Sequence, residues 1–203
     1  MWWDGAVSAE EAPRKRTRNA ERTKAVIVEA LIEAFQEGEL RPTAKSLAER
    51  AGVSLRSIYV HFADLDELRL VVAQSQLERI EAALPELDPL APLEERVSQL
   101  ITALEGLYAI QGMTRLVAMV DSYESAALDN FIRQGELRMR DYLRQGFRSE
   151  LARDSRERLG ALEALTSPTF RYLLIERQNL PRPMVARIIR DAIVRALTPD
   201  DAP

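Results

Sequence analysis

Thr43 and Ser54 each open a helix-like apolar pattern, and only Gly52 and Val53 separate the two patterns. That spacing constrains the chain more than anything else in it. Thr43 suits a helix N-cap, and Ala44, Leu47, Ala48 and Ala51 repeat behind it as one buried stripe. Gly52 takes a left-handed corner cheaply. Ser54 is then the next N-cap, with Val53 before it and Ile58 inside forming a hydrophobic staple that fixes how the chain enters the new helix. Two short helices joined by a tight glycine turn make a helix-turn-helix. The same shape also serves as a plain helical hairpin whose polar face meets water, and geometry alone leaves both readings open.

The flanking sequence continues in helices. Ile27, Ala30, Leu31, Ala34 and Phe35 predict a first helix from about Asn19 to Glu37, closed by Gly38. Asp64 with Glu67 predicts the start of a fourth helix running to about Leu84. After the proline-rich 84–96 stretch, amphipathic patterns predict helices at about 93–109, 114–123, 126–151, 156–177 and 183–197. Pro168 either sits first in a new helix capped by Ser167 or kinks a longer one, and a kink is the expectation. With 46% apolar residues and few glycines, the chain is expected to be all-α. The domain expectation is a disordered basic arm at 1–19, a helix-turn-helix head at 20–66 and a larger helical body at 67–203.

Charge is unevenly placed. Pro13 to Val60 holds ten Lys and Arg against six Glu, whereas the whole chain carries −4. A basic head on an acidic body is the footprint expected of nucleic-acid binding. With Ile58 pointing inward, Arg56, Ser57 and Val60 point away, and Tyr59 and His61 sit on the shoulders. Such groups can meet base edges and phosphates in a major groove.

The segment 41–68, "RPTAKSLAERAGVSLRSIYVHFADLDEL", resembles the TetR (tetracycline-repressor) family of bacterial transcriptional regulators. The matching pieces are Thr43, "LAERAGVS" at 47–54, "IY" at 58–59 and "HF" at 61–62 before an acidic helix start. The match is dense over roughly 20–72 and is one of layout beyond. The resemblance implies a ligand-responsive regulator, most simply a repressor, that binds a palindromic double-stranded DNA operator as a homodimer and is released by an unidentified small-molecule inducer. It implies backbone contacts from Thr43 and Lys45, base reading by Leu55, Arg56 and Ser57, and phosphate contacts from Tyr59 and His61. Leu55 stands where a polar or basic residue is frequent, and Leu65 replaces a frequent lysine. Arg14, Lys15 and Arg16 form an arm able to reach a minor groove or lie along phosphates.

For the body, the family layout points to dimerisation through the last helices. The stripes are Leu162, Leu165, Phe170, Leu173 and Leu174 in one, and Val185, Ile188, Ile189, Ala192 and Leu197 in the other. Candidate ligand contacts are Leu104, Tyr108, Met113, Met119, Tyr123, Phe131 and Phe147, with Arg115 and Asp121 as polar anchors if buried. The fourth helix would carry the ligand's effect to the head.

An enzyme is not expected. The chain has no cysteine, its single histidine falls in the reading helix, and no glycine-rich phosphate loop occurs. No catalytic residue, metal or cofactor is implied, and no apolar run is long enough for a membrane partner. Absent cysteines fit a cytoplasmic home. The alternative reading is a helical ligand-binding or protein-interaction module whose head no longer reads DNA.

Overall fold

The computed structural model describes residues 11–152 and 155–198, and among them every regular element is helical. The chain divides into two compact units between Val72 and Ala73, within the fourth helix and slightly beyond the expected boundary at 66.

The first unit opens with α1, Glu11–Gln36. Its start corrects the expectation of a disordered arm over residues 11–19, and residues 1–10 of that arm lie outside the described residues. Pro13 falls in the first turn, where a missing N–H loses nothing, and the Arg and Lys behind it are good helix formers. The stretch lacks apolar periodicity and so gave no sign of being helical. α1 buries Ile27, Ala30, Leu31, Ala34 and Phe35, and Gly38 ends it at φ 87°.

α2 (Ala44–Ala51) and α3 (Leu55–His61) follow. The Thr43 hydroxyl accepts from Ser46 N at 3.1 Å, and Leu47 and Ala48 are buried. At Gly52, φ is 65°, a conformation in which any side chain would be strained. Val53 N closes the turn onto Ala48 O at 3.0 Å. α4, Leu65–Ala83, begins with a capping box: Asp64 accepts from Glu67 N at 2.8 Å, and Glu67 from Ala63 N at 2.7 Å.

The second unit contains α5 (Leu93–Gln111), α6 (Thr114–Asp121), α7 (Ala126–Gly146), α8 (Ser155–Leu165), α9 (Pro168–Tyr172) and α10 (Arg182–Leu197). α10 packs on α5 and α8, while α7 packs on α6 and α8. Leu100, Leu107, Leu143, Phe147, Leu162, Ile189 and Ile193 anchor the core.

Two boundaries differ from the sequence expectation. α7 stops at Gly146 rather than Leu151, and Glu150–Ala152 forms a separate turn. A Cβ at position 146 would stand 2.7 Å from Leu87 Cδ1, so the helix ends where only glycine lets that leucine approach. At the proline, the expected kink is a break instead. Ser167 caps α9 by accepting from Phe170 N at 3.2 Å, with Pro168 first in the helix. A π turn over Leu173–Arg177 then ends at Asn179, where φ is 54°.

Arg96 ties the body together. Its guanidinium donates to Ala91 O (2.9 Å), Gly146 O (2.7 Å) and both oxygens of Glu150 (3.0 and 2.5 Å), and lies 5.3 Å from the Phe147 ring centre. Burial pushes the Glu150 carboxyl up, but hydrogen bonds from Arg96 and Ser149 outweigh it and hold the group below its ordinary value.

Candidate nucleic-acid interface and small-molecule cavity

Local chemistry builds the exposed face of α3. The Ser54 hydroxyl accepts from Ser57 N at 3.1 Å and pairs with the Ser57 hydroxyl at 2.8 Å. Ile58 and Phe62 are buried, which aims the opposite face outward. Arg56 is exposed, Tyr59 and Val60 are 56% and 67% exposed, and Leu55 is 44% exposed. Ser57 and His61 are half-buried, while Thr43 and Lys45 lie exposed at the start of α2. Of the seven residues expected from α2 and α3, five are exposed and Ser57 and His61 are half-buried, with Ser57 partly occupied by its own cap.

Several head cations are used internally. Arg50 donates to both Glu37 oxygens at 3.0 and 2.7 Å and also approaches Glu39 at 3.8 Å. The Arg50 hydrogen bonds hold the Glu37 carboxyl below its ordinary value. Arg69 pairs with Asp66 at 2.6 Å, and Lys24 lies over the Phe62 ring at 5.8 Å. Arg56, by contrast, has no ion-pair or hydrogen-bond partner among the described residues. The side chains of Arg14, Lys15 and Arg16 lie outside what is described.

The body holds a half-open cavity of about 410 Å³, within the range of small-molecule sites. Of the expected ligand contacts, Leu104, Tyr108, Met119 and Phe131 line it. Three do not. Phe147 is fully buried in the core, Met113 is half-buried outside the wall, and Tyr123 is 93% exposed. Helical spacing alone does not distinguish a core aromatic, a pocket aromatic and a surface one. Arg115 lines the cavity and pairs with Glu136 at 2.8 Å, whereas Asp121 is buried away from the wall.

Sequence reasoning missed Gln76, Thr114, Ile132, Met139 and the Glu163–Thr169 rim. A lone glutamine inside "VVAQSQLERI" carries no local signal of burial. Arg140 pairs with Glu163 across the rim. The Tyr108 hydroxyl donates to Thr166 O at 2.7 Å, and burial pushes its pKa far up, so it remains a donor. Arg171 stacks over the Tyr108 ring at 4.6 Å and chelates Glu105 at 3.1 and 2.7 Å.

The expected dimer stripe needs correction. Leu162, Leu174, Val185, Ile189 and Leu197 belong to the chain's own core. Leu165, Phe170 and Ala192 are half-buried, and Leu173 and Ile188 are exposed at 45% and 36%. Met184 joins the exposed set at 39%. Periodicity shows that a face is covered, not what covers it.

No protein-family model matches the sequence, and no curated protein does. Among the described residues no helix is long and apolar enough to cross a membrane. Solved structures do match. A transcriptional regulator from Rhodococcus sp. Rha1 aligns over 88% of this chain and 95% of its own, with 17% identity and a TM-score of 0.72. A protein assigned to the TetR family of transcriptional regulators, from Mesorhizobium loti, aligns over 88% and 96%, with 18% identity and a TM-score of 0.65. The multidrug binding protein EbrR, solved with imidazole, aligns over the full length of both chains, with 19% identity and a TM-score of 0.62. The chain therefore has the all-helical fold of these regulators.

Proposed function

We propose that this chain is a ligand-responsive transcription regulator of the TetR type, a repressor that binds a palindromic DNA operator as a homodimer and leaves it when a small molecule fills the body. The observation that carries the reading is Arg56. It is an exposed guanidinium with no partner among the described residues, on a short, doubly capped helix, in a head whose Arg50 and Arg69 are held by carboxylates. An arginine left without an internal partner is suited to the two acceptors of a guanine edge. Tyr59, His61, Thr43 and Lys45 flank it as phosphate contacts, and Leu55 and Val60 offer apolar contact to thymine methyls. The arm of Arg14, Lys15 and Arg16 adds charge along the backbone.

One helix-turn-helix gives few contacts, so two copies on a palindrome are required for a selective site. Leu173, Met184 and Ile188, with half-buried Phe170 and Ala192, are the joint in this reading. The cavity takes the inducer, and a ligand that favours one separation of the two heads shifts the population away from the bound form.

Fragments selected from genomic DNA by the purified protein would supply the operator. Arg56→Ala should then weaken operator binding by about 1–3 kcal/mol and relax preference at one position. Unchanged affinity and unchanged preference, titrated at fixed salt, would refute the reading.

A further inference from the structure

The cavity wall carries polar groups that the protein leaves unanswered. Gln76 is 5% exposed, and among the described residues neither its amide oxygen nor its amide nitrogen has a hydrogen-bond partner. The same holds for the hydroxyl of Thr114, 4% exposed, and for Nη1 of Arg115. All three residues line the cavity. Buried polar atoms without partners are rare and costly, and their occurrence in three residues of one cavity lining, on α4 and α6, marks a place where something else completes them.

The charges beside them are already balanced. Arg115 is paired with Glu136, and Arg140 with Glu163. A carboxylate would set its charge against the Gln76 oxygen and near Glu136, while offering no donor. An ammonium would face the Gln76 amide nitrogen and Arg115 Nη1, both donors. A neutral group bearing an acceptor beside a donor answers the whole set. Its carbonyl accepts from Gln76 Nε2, Thr114 or Arg115, and its N–H donates to Gln76 Oε1. Gln111, Thr166, Ser167 and Thr169 add polar groups to the wall, and the remainder, including Leu77, Met119 and Phe131, is apolar or aromatic.

We infer that the cavity takes an uncharged, largely apolar molecule carrying one amide- or lactam-type group, which docks on Gln76 and Thr114. This rests on the reading of the body as an effector-binding unit and specifies the effector's chemistry.

A matched set keeps shape nearly constant while changing charge: naphthaleneacetamide, naphthaleneacetate, naphthylethylammonium and ethylnaphthalene. Calorimetric titration of the full chain should find the amide at least about tenfold tighter than each of the others. Gln76→Leu and Thr114→Val should each erase most of the amide's advantage over ethylnaphthalene while raising the melting temperature of the ligand-free protein. Tighter binding by the acid or the amine, equal binding by ethylnaphthalene, or no binding of the amide up to millimolar concentration would overturn the inference. So would an advantage that survives both substitutions, or a fall in melting temperature for both. Release of a selected operator fragment by the amide, read separately, reports on the regulator reading. A chain that prefers the amide but holds no operator keeps this inference and defeats that one.

Discussion

Replacing Arg96 with methionine should destabilise the body by about 3 kcal/mol at neutral pH. The side chain of Arg96 is 3% exposed and that of Glu150 is 15% exposed. Removing one partner of a buried pair costs about 3–5 kcal/mol, because the other charge is left uncompensated. Glu150 reaches some water, which places the expectation at the lower end. The carbonyls of Ala91 and Gly146 also lose their donor, at about 1 kcal/mol each, while methionine keeps much of the packing on Phe147. The double variant Arg96→Met/Glu150→Leu should therefore recover part of the loss.

Proton linkage sharpens the test. In the native protein the Glu150 carboxyl is held below its unfolded value, so its contribution is present above that value and fades as pH falls through the folded one. Without Arg96, burial remains the dominant influence and the folded value moves up. The penalty in the variant then disappears as acid protonates the carboxyl. The gap between the two proteins should be widest at neutral pH and narrow toward about pH 4, near the ordinary carboxylate value. Urea unfolding followed by far-UV circular dichroism, at fixed protein concentration and both pH values, measures it. A neutral-pH gap below about 1 kcal/mol, or one that does not change with pH, would refute the reasoning.

Ser54→Ala removes the cap that accepts from Ser57 N, and should cost the head about 1 kcal/mol in thermal unfolding while weakening operator binding. Ile188→Arg places a charge on the exposed side of α10 and should shift sedimentation from dimer to monomer at micromolar concentration. Because Ile188 is 36% exposed and outside the core, the fold should survive, as circular dichroism would show.

What the sequence made legible was local. Thr43, Ser54 and Asp64 announce their helices because a cap is satisfied within a few residues, and Gly52 marks its corner because the backbone there demands it. The exposed face of α3 followed from one buried residue, Ile58, and a fixed turn angle. What stayed hidden was tertiary. The last residue of α7, Gly146, must be glycine because Leu87, far away in sequence, packs against it. Leu162 and Ile188 share the same apolar grammar, yet one lies in the core and the other faces solvent. Gln76 became visible only when its surroundings did. The basic stretch before Asn19 lacked a stripe, and charged helices leave none to read.

The interruption at Ser167 has a further implication. Thr166 to Thr169 form part of the cavity wall, and exposed Leu173 begins the wide turn immediately after α9. In the proposed dimer, an occupant that propped open this elbow would alter the footing on which two chains meet. By thermodynamic symmetry the influence runs backward too, so a crowded pool of chains would grip its effector with a different strength from a dilute one.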